Sequence, residues 1–181
     1  VIDSSHVRFE GCGFRYPSTN KWLLGEFRWF DNHAGRMTER TNNAFLVKGG
    51  SNNALIDCVV SRCNSPVVVA ADGILVENCL FHELEWDVNS SGGSGSIVPG
   101  PAAVFRRNTV HTAGGSEGIR PGGPNTTIEL NHLWGMGRLQ HDGSAVNIGT
   151  SVQQGTVVRF NWVHDTNRQG IRFDSTTSRA G

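Results

Sequence analysis

Two His-Asp dipeptides in this chain set an imidazole beside an aspartate: His141-Asp142 and His164-Asp165. Near neutral pH an imidazole can take or give a proton, and an adjacent carboxylate can orient the ring or raise its basicity. Neighbours in sequence often point apart, and Asp142-Gly143 is also an ordinary turn pair, so the dipeptides by themselves establish no contact. A third carboxylate, Asp174, stands two residues after Arg172. Brought together, Asp142, Asp165 and Asp174 could work as paired acids, one protonating a glycosidic oxygen while another activates water or attacks. The same three could instead hold Ca²⁺, with a sugar carboxylate as a further ligand. Spacing in the sequence leaves both options open.

Composition excludes several partners. Lys plus Arg number 16 and Asp plus Glu number 16, so no basic field draws nucleic acid. No apolar run approaches the roughly 20 residues that span a bilayer, so membrane insertion is not expected. The 23 glycines beside 37% hydrophobic residues fit a turn-rich all-β chain. Val1 to Phe9 show no basic segment followed by an apolar stretch. The chain opens within a strand-like run and closes just after another, so residues 1–181 are expected to be one domain excerpted from a longer chain. Cys12, Cys58, Cys63 and Cys79 match no CxxC or zinc spacing.

What must position these groups is a repeat. A frame of apolar, any, any, small polar, any, apolar recurs as Phe105–Val110, Ile128–Leu133 and Val158–Val163, and again as Val76–Phe81, Leu55–Val60 and Phe9–Phe14. Its fourth position is Cys12, Cys58, Cys79, Asn108, Asn131 and Asn161, at intervals of 46, 21, 29, 23 and 30. The long first interval suggests two rungs with one marker hidden, Asn32 being a candidate. A further strand precedes each marker, at Phe45–Lys48, Pro66–Val69, Gly95–Val98, Gly118–Pro121 and Ala145–Ile148, and Gly170–Phe173 opens another rung.

Strands this short bury a core only when coiled into a solenoid, stacked at roughly 4.8 Å so that each rung covers the next. Asparagine suits the marker because it tolerates left-handed backbone angles and its amide can bond the rung above and below. Cysteine is small and commonly buried, so the marker cysteines are expected to be reduced parts of the same ladder. Hairpin turns and helical periodicity, which a propeller, sandwich or α/β fold would need, are missing.

The segments Asn131–Ile148 (NHLWGMGRLQHDGSAVNI) and Asn161–Asp174 (NWVHDTNRQGIRFD) resemble the right-handed β-helix region proteins of the pectate-lyase-like superfamily, most closely over residues 103–174. The resemblance implies an all-β, single-stranded right-handed parallel β-helix. It points to a carbohydrate-active protein, since that superfamily holds polysaccharide lyases, glycoside hydrolases, epimerases, esterases, tailspikes and adhesins. It also implies a ligand groove along the first strand of each rung.

The third residues of those strands are Val47, Val68, Ile97, Arg120, Asn147 and Arg172, a change from apolar to polar across the stack. Residues two rungs apart are about 10 Å apart, close to a disaccharide, and guanidinium forks suit carboxylates. The bland alternative is a solvated sheet face. The expected function is therefore an enzyme acting on an acidic polysaccharide, first as a lyase. Arg120, Asn147 and Arg172 would neutralise the uronate, His141 would take the proton, and His164 or a water would protonate the leaving oxygen. No lysine or tyrosine stands at a matching groove position, a departure from many such lyases. The alternatives are a hydrolase using Asp142, Asp165 or Asp174, and a non-catalytic adhesin or tailspike-like solenoid. Trp86 and Trp134 are candidate sugar-stacking platforms. His164 also falls in a column with His82, His111 and Trp134, three residues past each marker, where packing alone would explain it. Beyond Ca²⁺ no cofactor is expected. The partner is a polysaccharide, the location extracellular or periplasmic, and solenoid ends allow end-to-end or homo-oligomeric assembly.

Overall fold

The computed structural model describes residues 3–15, 45–47, 49–63, 67–86, 95–115, 117–139, 142–149 and 153–174. Every turn of the chain gives one short strand to each of three sheets. The first sheet contains β3 (Phe45–Val47), β6 (Val67–Val69), β9 (Gly95–Pro99), β12 (Glu117–Ile119), β15 (Ser144–Ile148) and β18 (Gln169–Phe173). The second contains β1 (Arg8–Glu10), β4 (Ala54–Ile56), β7 (Leu75–Glu77), β10 (Val104–Arg106), β13 (Thr127–Glu129) and β16 (Val157–Arg159). The third contains β2 (Gly13–Arg15), β5 (Val59–Cys63), β8 (Leu80–Leu84), β11 (Thr109–Ala113), β14 (His132–Trp134) and β17 (Trp162–His164). Each strand pairs in parallel with the strand three places further on, which makes the chain a parallel β-helix. No helix occurs among the described residues.

Inward-facing apolar residues stack on their counterparts from rung to rung. In the second sheet Leu55, Val76, Phe105 and Ile128 are in register, and in the third Val60, Phe81, Val110 and Leu133; all are at most 1% exposed. None could be covered within its own rung, so burial and rung stacking are one event.

The tight turn between second and third strands carries the ladder. The Cys79 N–H donates to Asn108 Oδ1 at 2.8 Å, Asn108 N–H to Asn131 Oδ1 at 2.9 Å, and Asn131 N–H to Asn161 Oδ1 at 3.0 Å. The column continues through sulfur, with Cys58 N–H on Cys79 Sγ at 3.4 Å. All four cysteines are free, and burial pushes the Cys79 thiol up to about 12, which keeps it an inert ladder member.

Two expectations need correction. The left-handed angle does not fall on the marker but one residue earlier, at Gly11, Asp57, Asn78, Arg107, Leu130 and Phe160, with φ of 52–64°. The marker's side chain is committed to the ladder, so its predecessor makes the reversal. Nor does the 46-residue interval hide a rung: β1 pairs directly with β4 and β2 with β5, so Cys12 and Cys58 are on adjacent rungs. The extra length is residues 16–44, Asn32 included, which lie outside the described residues.

Adjacent residues of one turn should therefore respond in opposite directions. Leu130→Gly relieves a left-handed leucine that is 45% exposed and should raise stability by about 0.5–1 kcal/mol. Asn131→Ala strips the acceptor from Asn108 N–H and the donor from Phe105 O and should cost about 1–3 kcal/mol. Equilibrium urea denaturation of the two variants checks both signs.

Candidate functional site

Register on the first sheet sorts the candidates. Ile119 is level with Val146 and Asn147 with Arg172, which brings Arg120 into the row of Asn147 and Arg172. Val68 pairs with Val98. Val47 and Ile97 leave the expected column: they align with Val69 and Ile119 and are core residues, 1% and 0% exposed. First strands start at different offsets from their turns, so a fixed count from the marker does not follow the register. The true column runs Leu46, Val68, Val98, Arg120, Asn147, Arg172, and its change to polar falls at the same rung as expected.

The polar row is not a free guanidinium ladder. Asn147 is 1% exposed, and Arg120 Nη2 donates to the Gly149 carbonyl at 3.3 Å. Arg172 is a hub whose Nη1 meets Asp142 Oδ1 at 2.7 Å and whose Nη2 meets Asp174 Oδ2 at 2.8 Å. Asp142 also accepts from Arg168 Nη1 at 2.9 Å. Two of the three aspartates thus converge, with arginine as the cation between them. This set does not fit Ca²⁺, which takes six to eight oxygens. Among the described residues no three His, Cys, Asp or Glu side chains gather as ligands. Asp165 stands apart, its Oδ2 on His164 Nδ1 at 2.8 Å.

Glu117, which the sequence frame skipped by starting the strand at Gly118, belongs to this face. It is level with Ser144 and Gln169 at the entry of the strands and is 4% exposed. Burial pushes its carboxyl up to about 7; the positive Arg120 and Arg172 oppose that rise and Asp174 and Asp142 reinforce it. A glutamate between a serine and a glycine at the head of an apolar strand was the available signal. Among the described residues, the buried side-chain atoms without a hydrogen-bond partner are Glu117 Oε2, Arg120 Nε, Asn147 Oδ1 and Gln169 Oε1. All belong to the last three rungs of the first sheet. Folded proteins pair nearly all such atoms, so their concentration on one face marks it.

The other candidates lie on the third sheet. His82, His111, Trp134 and His164 stack one per rung, with centroids 5.3, 4.5 and 5.8 Å apart and planes within 14°. Both faces of Trp134 are covered by imidazoles, which leaves none for a sugar ring. His132 stacks on Trp162 at 4.2 Å, and its Nε2 lies 2.8 Å from His164 Nε2. His164 and Asp165 therefore belong to this ring column, not to the Asp142–Arg172–Asp174 cluster. Trp86, 42% exposed, follows β8, and His141 lies outside the described residues.

The family model for the right handed beta helix region matches residues 43–180. The chain belongs to that family, a parallel β-helix of right-handed coil. No curated protein and no solved structure matches it.

Glu117 makes stability depend on pH. Below pH 4.5 its carboxyl is protonated folded or unfolded; between 4.5 and about 7 only the folded state keeps the proton. Stability should fall as pH rises through that window and level off above it. Glu117→Gln should match the parent at pH 4 and exceed it by up to about 3 kcal/mol at pH 8, read from denaturation curves across the range.

Proposed function

We propose that the first-sheet face of the last three rungs is a carbohydrate site and that the protein hydrolyses glycosidic bonds there. The confinement of partnerless buried polar atoms to that face carries this reading. The set mixes acceptors (Asn147 Oδ1, Gln169 Oε1), a donor (Arg120 Nε) and a carboxyl that can be either. Sugar hydroxyls both donate and accept, so a polyol satisfies such a set once the side chains covering these atoms turn aside. The rung spacing of roughly 4.8 Å matches the repeat of a glycan laid along the solenoid.

Hydrolysis needs two carboxyls in different protonation states. Glu117, raised to about 7, suits the acid, and Asp142 or Asp174, ion-paired with Arg172, suits the base. Elimination would need arginines free to neutralise a uronate, whereas Arg172 already faces two aspartates. A polymeric glycan substrate goes with an extracellular or periplasmic location.

The test is a panel of neutral and uronate polysaccharides assayed for new reducing ends and for the ultraviolet absorbance of an unsaturated uronate. Reducing ends without absorbance are expected, with Glu117→Gln lowering turnover by about 100-fold or more while the variant stays folded. Absorbance would turn the reading to a lyase, and silence in both assays to a glycan-binding solenoid.

A further inference from the structure

The third-sheet ring column contains a feature that packing alone does not require. His132 and His164 sit on neighbouring rungs with their Nε2 atoms 2.8 Å apart and their ring centres 5.0 Å apart. Those two distances leave the imidazoles nearly head to head, so one Nε2 donates and the other accepts. The far nitrogen of His164 is held by Asp165 Oδ2 at 2.8 Å, which favours the proton on Nδ1 and leaves the Nε2 lone pair facing His132. Each ring is also held flat against a tryptophan, His132 on Trp162 at 3° and His164 on Trp134 at 4°.

We infer that His132 and His164 form a two-imidazole site for a divalent transition metal, Cu²⁺ or Zn²⁺, with Asp165 as the carboxylate that orients His164. Two imidazoles sharing one tetrahedral ion, with bonds of about 2.0–2.1 Å, place their nitrogens about 3.3 Å and their ring centres about 5.2 Å apart. The observed centre spacing of 5.0 Å already approaches that, so the rings need only pivot in place by about 35°, which moves each Nε2 by about 0.7 Å. His132 then carries its proton on Nδ1, a change of tautomer that releases no proton and leaves both Nε2 lone pairs on the ion. His164 is 32% exposed, which gives the ion a path in. Remaining positions go to water, since no third protein ligand gathers among the described residues. Copper should bind more tightly than zinc.

The test is titration of the folded chain with Cu²⁺ alone, followed by calorimetry and electron paramagnetic resonance. One saturable equivalent with two equatorial imidazole nitrogens is expected. His132→Gln and His164→Gln should each weaken binding at least tenfold. Asp165→Asn should weaken it about tenfold while keeping the two-nitrogen signature. His82→Ala, in the same stack, should leave it unchanged. Absence of saturable binding by the parent, a signature of one nitrogen, or equal loss in His82→Ala would overturn the assignment. The spectrum of the unsubstituted protein decides the matter even where a variant fails to fold.

Discussion

No rung of this protein can bury its own apolar residues. Each contributes strands of three to five residues, and their inward-facing apolar side chains are covered only by the rungs above and below. Stability therefore rests on register between rungs, and the tight turn holds it: a backbone N–H at each marker is accepted by the marker side chain of the next rung. Where cysteine replaces asparagine, sulfur takes the same N–H at a longer distance. A slip of one residue would send every inward side chain outward, so the ladder and the core enforce the same alignment.

That alignment gives each outward face one residue per rung in straight rows, and the rows differ in chemistry. On the second sheet Glu77, Arg106, Glu129 and Arg159 are in register, with ion pairs Arg106–Glu77 and Arg159–Glu129. On the third, flat rings stack at nearly the rung spacing and cover one another. On the first, the row is apolar through Val98 and then turns to Arg120, Asn147 and Arg172, where a buried glutamate and partnerless polar atoms accompany it. One backbone thus presents a charge zipper, a ring column and a polar face without any change of fold.

The fold was legible because rung period, marker and inward apolar positions all repeat within one sequence frame. Strand positions follow from that frame to within one or two residues. Side-chain partners do not, because they depend on where loops of unequal length bring residues from different rungs. His164 and Asp165 read as groove residues from their loop position, yet the third sheet claims them. Arg172 read as a free cation, and only the folded chain brings Asp142, 30 residues away, onto its Nη1. Glu117 escaped notice because a one-residue offset of the strand moved it into a turn. His132, one residue past its marker, escaped because only the third-position column was followed.

The most direct test of the first-sheet site is side-chain NMR of the isotopically labelled protein during titration with neutral and uronate oligosaccharides. The Arg120 Nε–H and the Asn147 and Gln169 amides should shift together and saturate, while the ladder amides of Asn108 and Asn131 stay in place. Shifts confined to the third-sheet rings, or none with any oligosaccharide, would contradict the account.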